Sequence, residues 1–223
     1  MMKIRVCSSI PVISLLFCIG LLGGMPFSVS AQTTITKSIA ASADDAEEEG
    51  PTGTTPGRMW LNSSDIELVS DFESPSTGVQ KVGLRFIAMA IPPGATITSA
   101  YLTFRAISAD LGMTNADATN LTIRGHLTAN STTFTTTANN ISTRPVTSTS
   151  ASWIPPTWTV GTDYNSTSIV GVIQEIVDQG TWASGNALSI IITGTGHRAS
   201  PSYDGDPTNA AKLVVTPPGE AIV

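Results

Sequence analysis

Between residues 81 and 106 the chain runs through two stretches of regular alternation, and this period of two constrains its fold more than any other feature. Val82, Leu84 and Phe86 fall on one side of the first stretch, and Ala100, Leu102 and Phe104 on one side of the second. Successive side chains of an extended strand point to opposite faces, so each stretch predicts a strand with one buried face. Pro92-Pro93-Gly94 lies between them and predicts a turn, because proline restricts φ and glycine accepts positive φ.

The same reading along the chain predicts strands at 33–40, 59–61, 66–69, 121–126, 188–193 and 212–216. Ile190-Ile191-Ile192 does not alternate, which predicts a strand buried on both faces. Pro155 and Pro156 restrict residues 153–160 to an edge strand or an extended loop. Residues 128–149 hold nine threonines but are punctuated by Phe134, Ile141 and Val146, so they read as a long connection with short edge strands. One segment carries the helical period. Ile169, Val172, Ile173, Ile176 and Val177 form an apolar stripe that predicts an amphipathic helix at about 167–178, with Ser166, Thr167 or Ser168 as its cap and Gly180 just past its end. Many short strands with one helix predict an all-β, two-sheet sandwich spanning 32–218, followed by a short tail at 219–223.

The first 31 residues carry a different signal. Lys3 and Arg5 precede an apolar run from Ile10 to Leu22, and Val29-Ser30-Ala31 supplies the small side chains a signal peptidase accommodates. The run is too short for a membrane span and ends among Gly20, Gly23, Gly24 and Pro26, so a cleaved export signal is expected, with no span in the mature chain. Phe17 before Cys18 argues against lipoprotein processing. Cleavage after Ala31 leaves 192 residues and removes both cysteines, Cys7 and Cys18. It also removes two cations, Lys3 and Arg5, and takes the net charge from −6 to −8. An exported chain without cysteine has no disulfide, thiolate metal site or cysteine nucleophile. Its acidity lacks the basic footprint of a nucleic-acid binder.

The acidic residues are unevenly spread: nine of the 17 lie between Asp44 and Glu73. Hard divalent cations take six to eight oxygen ligands, and neighbouring carboxylates supply them. Asp44, Asp45, Glu47, Glu48 and Asp65 are therefore candidate ligands for calcium, with Asp204 and Asp206 a second oxygen-rich candidate. The plainer alternative is a solvated acidic loop that keeps the chain soluble. Trp153, Trp158, Tyr164 and Tyr203 fall in loop-like stretches, where flat rings stack on sugar faces. Taken singly, each is as readily a core residue. Trp60 and Trp182 read as core.

Signals for catalysis are thin. The chain has two histidines, His126 and His197, and contains no nucleophile elbow, zinc helix or phosphate loop. His197 beside Arg198 is expected to finish a strand and bind backbone carbonyls. A carboxylate pair acting on glycosides has no positive support. Five Asn-x-Ser/Thr sites, at Asn62, Asn120, Asn130, Asn140 and Asn165, are expected in exposed loops.

Several segments carry a family resemblance: Ser42-Ala-Asp-Asp-Ala-Glu-Glu48, Ser63-Ser-Asp-Ile-Glu-Leu68, Val82-Gly-Leu-Arg-Phe86 and Ile91-Pro-Pro-Gly-Ala-Thr-Ile-Thr98 in the first half. Leu121-Thr-Ile-Arg-Gly125, Trp182-Ala-Ser-Gly-Asn-Ala-Leu188 and Gly194-Thr-Gly-His-Arg-Ala199 follow in the second. In this order they resemble a module of large secreted bacterial proteins, related to the DNRLRE-type carbohydrate-binding-like jelly rolls, across the whole chain after residue 31. The resemblance implies a jelly-roll sandwich with a late helix, in proteins with surface-attachment or polysaccharide-active parts. Members often carry an Asp-Glu pair after the strand matching Tyr101 to Phe104; here Arg105-Ala106-Ile107 stands in its place.

These readings converge on a secreted, non-catalytic, calcium-binding sandwich acting at the cell surface or in extracellular matrix, with extracellular polysaccharide as its partner, as a carbohydrate-binding or adhesive module. The alternative is a structural subunit of an extracellular filament or coat, in which residues 33–40 complete the sheet of a neighbouring copy. A hydrolase is the third and weakest reading.

Overall fold

The alternating stretches become antiparallel strands whose apolar faces meet in a single core. The computed structural model describes residues 33–72, 78–109 and 112–217. The expected export signal and the 219–223 tail lie outside the described residues. One sheet is built from β1 (Ile35–Ser38), β8 (Ser99–Arg105), β11 (Asp163–Asn165) and β14 (Lys212–Thr216), in the order β1-β14-β8-β11. The second takes β2 (Asp45–Glu48), β3 (Met59–Trp60), β7 (Lys81–Phe86), β9 (Asn120–Gly125), β10 (Ala151–Trp153) and β12 (Leu188–Thr195), in the order β10-β9-β12-β7-β2-β3. Two small sheets pair β4 (Asp65–Glu67) with β13 (Ala199–Pro201), and β5 (Ser70–Asp71) with β6 (Gly78–Val79). The chain is thus an all-β sandwich. Eight strands pair in a nested scheme: β1 with β14, β7 with β12, β8 with β11, and β9 with β10.

Val82, Leu84 and Phe86 of β7 meet Ala100, Leu102 and Phe104 of β8 in the main core, as alternation predicts. The triple-isoleucine strand is buried on both faces. Ile190 and Ile192 join the main core, while Ile191 faces the opposite side among Ala46, Met59, Phe134 and Ile141. Phe134 and Ile141 come from the threonine-rich connection, which therefore covers the outer face of the six-stranded sheet. The short edge strands expected within it reduce to one bridge, His126 with Val146. Arg144 holds this segment in place. Its guanidinium donates to the Asn140, Thr132 and Thr133 carbonyls and to the Ser131 hydroxyl, and lies 4.2 Å from the centre of the Phe134 ring.

The helix, α1, spans Val170–Val177 and buries the predicted stripe: Val172, Ile173, Ile176 and Val177 are covered and Ile169 sits at its N-cap. The expected Ser/Thr cap is corrected, since the N-cap residue is Ile169 and no side chain caps it. The Ser166 hydroxyl is engaged elsewhere, donating to the Thr167 carbonyl and accepting from the Leu102 N–H. α1 touches β8 of one sheet and β9 of the other, so it closes one side of the sandwich. Among the described residues no helix is long and apolar enough to cross a membrane.

Gly83 of β7 marks how closely the threonine-rich cover approaches. A Cβ there would lie 2.5 Å from the Phe134 ring and 3.1 Å from Ile141 Cδ1. Gly83→Ala is therefore expected to cost about 1–3 kcal/mol through overpacking, despite the better strand propensity of alanine. Urea denaturation checks this; an unchanged midpoint would mean that the cover yields freely.

Candidate functional site

The acidic run is not a loop. Asp45, Ala46, Glu47 and Glu48 form β2, paired on one side with β7 and on the other with β3, and all four are buried. Local propensity disfavours Asp and Glu in strands, so tertiary pairing decides here. Strand alternation then splits the acids between the two faces. Asp45 and Glu47 lie opposite Leu84 and Val82, on the core face. Ala46 and Glu48 lie on the outer face with Gly83 and Lys81.

The convergence of Asp44, Asp45, Glu47, Glu48 and Asp65 on one ion is therefore corrected. Asp44 pairs with Arg85. Glu48 accepts from Lys81 Nζ at 3.1 Å and from the N–H groups of Ile141 and Ser142 at 2.8 and 2.7 Å. Burial alone would raise its carboxyl, but the Ser142 and Lys81 bonds outweigh burial and hold it below its ordinary value. Asp65 accepts from the hydroxyls of Ser63 and Ser64. Asp206 ties its own turn by accepting from Thr208 N–H and Asn209 Nδ2, while Asp204 is exposed. Among the described residues, no three His, Cys, Asp or Glu side chains stand in an arrangement ready to hold a metal ion.

What the fold does assemble on the core side of β2 is a buried carboxyl pair. Glu47, in β2, and Glu67, in β4, are 3% and 4% exposed. Gln80 Nε2 donates to both, at 2.7 Å to Glu47 Oε1 and 2.9 Å to Glu67 Oε2. Glu47 Oε1 also accepts from the Glu67 N–H at 2.9 Å. The other end of the same amide, Gln80 Oε1, is buried without a hydrogen-bond partner among the described residues. Loss of solvation pushes the Glu47 carboxyl well above its ordinary value, and Asp65 and Asp71 add repulsion. Nearby, burial pushes Asp45 up to about 7, opposed by the Tyr203 N–H at 2.7 Å and assisted by Asp204. Asp45 and Glu47 thus carry raised carboxyls on this face, and Glu47 lies beside a second buried carboxyl, Glu67, at the amide of Gln80.

Sequence reasoning missed Glu67 and Gln80 as members of this group. The available signal for Glu67 was an acid set between Ile66 and Leu68 in a predicted strand, since a buried strand places such a carboxyl against neighbours. Nothing local marks Gln80.

Of the aromatic candidates, the two tryptophans are corrected. Trp153 and Trp158 are 5% and 4% exposed and belong to the main core. Phe104 stacks on Trp153 at 5.7 Å between ring centres, and Trp158 on Tyr164 at 5.2 Å. Since Trp153 ends β10 and Tyr164 lies in β11, the column joins the edge strands of the two sheets. Tyr164 and Tyr203 are half-buried against the core. Both histidines are internal. His126 Nδ1 meets the Ser131 hydroxyl, and burial followed by the Arg144 charge lowers it to about 4. His197 Nδ1 bonds the Ser70 carbonyl, and Arg198 donates to the carbonyls of Pro155, Pro156, Asp117 and His197.

Comparison with known protein families and with curated proteins found no match.

The raised carboxyls link folding to pH. The folded state binds more protons at Asp45 and Glu47 than the unfolded chain, so their contribution to stability is complete below the ordinary carboxyl range. It is lost as pH rises, for Asp45 between 3.8 and about 7. Asp45→Asn is expected to gain on the order of 2–4 kcal/mol at pH 8 and nothing at pH 4, at about 1.4 kcal/mol per tenfold of proton affinity. Glu47→Gln is expected to flatten the same profile. Urea titrations across pH 4–8 check both; parallel profiles for native and variant proteins would refute the linkage.

Proposed function

We propose that this chain is a non-catalytic, extracellular binding module that takes calcium at Glu47, Glu67 and Gln80 in place of the proton that Glu47 holds. The observation carrying this reading is the buried carboxyl pair meeting at one amide whose oxygen lacks a partner among the described residues. Carboxylate and amide oxygens are the donors a hard cation selects. Asp65 and Asp71 contribute negative potential at the pair, which favours a divalent ion further. The non-catalytic assignment is supported by two histidines that are both buried and hydrogen-bonded within the protein. An extracellular setting is supported by the export signal read in the sequence. Kinship with the DNRLRE-type jelly rolls is part of the proposal; the nested pairing of eight strands supports the jelly-roll assignment. The carbohydrate or adhesive role rests on that kinship, because Trp153 and Trp158 lie in the core and Tyr164 and Tyr203 are half-buried against it.

Calcium that binds only the folded state at a hundredfold excess over Kd adds about 2.7 kcal/mol. For a domain of this size that raises Tm by about 5–10 °C. Melting curves at pH 8 with calcium or with chelator check this. The shift is expected to shrink at pH 5, where protons compete, and to vanish in Glu67→Gln. An identical Tm with and without calcium at pH 8 refutes the ion assignment.

A second reading is favoured by the position of β1. It is the first described strand and an edge strand, held to the sheet by β14 alone from Ile35–Val215 to Ser38–Lys212. Moving it to a neighbouring copy would exchange one set of bonds for an equal set, which is how strand donation links subunits. A chain lacking residues 32–39 is then expected to accept a synthetic Thr33–Ala40 peptide. Electron microscopy of the intact protein with calcium is expected to show filaments, and monodisperse monomers in every condition would refute this reading.

A further inference from the structure

The outer face of the six-stranded sheet carries a feature that the cation site does not use. A cavity of about 180 Å³ opens there, with Ile191 of β12 as its floor and Ile141 and Val146 from the threonine-rich cover as its wall. Three cations, Lys81, Arg124 and Arg144, border it in a chain whose net charge is −6. Arg124 stands beside Ile191 across the β9–β12 pairing. It commits only Nη1, to the carbonyls of Thr147 and Ser148, so its Nε and Nη2 edge has no protein acceptor among the described residues. Arg144 bonds to neutral oxygens and to the His126 ring nitrogen, and no carboxylate among the described residues pairs with either arginine. Lys81 is the one of the three that is paired, with Glu48. The cavity therefore has positive potential, one guanidinium edge available for a two-pronged bond, and an apolar floor.

We infer that this cavity is a binding site for a carboxylated sugar residue of an acidic polysaccharide. An Nε–Nη2 edge matches a carboxylate with two parallel hydrogen bonds, and the unpaired charge of Arg144 strengthens the attraction. The C–H face of a pyranose ring packs on Ile191 and Val146, and the Ser142 and Thr193 hydroxyls at the rim meet ring hydroxyls. Sites for drug-sized molecules run from roughly 300 Å³ upward, so this smaller cavity seats a single sugar unit while the rest of the polymer lies across the surface. Its position on the face of the sheet opposite Glu47 makes it independent of the cation site. The inference rests on the carbohydrate reading above and names its substrate class.

Isothermal titration with oligogalacturonate tests it, run with chelator present so that calcium contributes nothing, alongside a neutral galactose oligomer and inorganic sulfate. The acidic oligomer is expected to bind, more weakly at 0.5 M salt, and the neutral oligomer and sulfate at least tenfold more weakly. Arg124→Gln is expected to lose tenfold or more. Because Arg124 also ties the 147–148 backbone, Thr193→Glu provides a second test by placing a carboxylate at the rim without touching those bonds, and circular dichroism verifies that both variants fold. Oligogalacturonate affinity unchanged in both variants overturns the site, as does equal affinity for sulfate. Binding of the neutral oligomer that survives both substitutions overturns the site but keeps the carbohydrate reading. Binding of no saccharide overturns both.

Discussion

Burying a carboxylate is the costliest act in this fold, and the β2 region does it repeatedly. Asp44, Asp45, Glu47, Glu48 and Glu49 are each less than a tenth exposed, and every one has a distinct means of compensation. Arg85 neutralises Asp44, while Lys81 and two backbone N–H groups hold Glu48. Glu49 accepts from the Thr55 N–H and thereby closes the Gly/Pro-rich loop beside it. Asp45 and Glu47, which form no ion pair among the described residues, carry raised carboxyls. An isolated buried charge would be far more expensive than any of these arrangements, so the neighbours of β2 are held in register by the acids they compensate.

This compensation connects parts of the molecule that are distant in sequence. Glu48 ties the threonine-rich cover to the sheet through the Ile141 and Ser142 N–H groups, and that cover in turn buries Ile191 and walls the basic cavity. Glu47 ties β4, which pairs with β13, to the core face. Asp45 ties the turn at Tyr203. A cation at Glu47 and Glu67, as proposed, would therefore stiffen the contact between β2 and β4 on the face opposite the basic cavity. The two sites proposed lie on opposite faces of one sheet because strand alternation separates successive side chains.

Much of the fold was legible in the sequence where side chains obey a simple period. Lys212–Thr216 forms the predicted closing strand, the stripe from Ile169 to Val177 is the buried face of α1, and the three isoleucines of β12 are buried on both sides. His197 binds a backbone carbonyl as expected, but it lies in the connection between β12 and β13 instead of ending a strand. The departures have physical causes. Asp45–Glu48 reads as a loop because its residues resist strands, and only pairing with β3 and β7 overrides that preference. Trp153 and Trp158 lie among prolines and polar residues that suggest exposure, but the gap between two edge strands needs large apolar side chains to fill it. The helix dispenses with a polar cap because Ile169 contributes more by joining the core.

The sequence by itself determined the all-β class, the faces of the principal strands, the one helix and the concentration of acid near residue 45. Those follow from periodicity and composition, which act locally. Only the tertiary structure decided which acids meet. Glu47 finds Glu67 and Gln80 because β4 and the residue between β6 and β7 fold back over the same face, whereas Asp44 and Glu48, next to Asp45 and Glu47 in sequence, find Arg85 and Lys81 instead. Likewise, Lys81, Arg124 and Arg144 are scattered along the chain and come together only through the β7–β12–β9 register and the cover laid upon it. Charge is counted along a chain, but its energy depends on distance through space, and that distance is set by the fold.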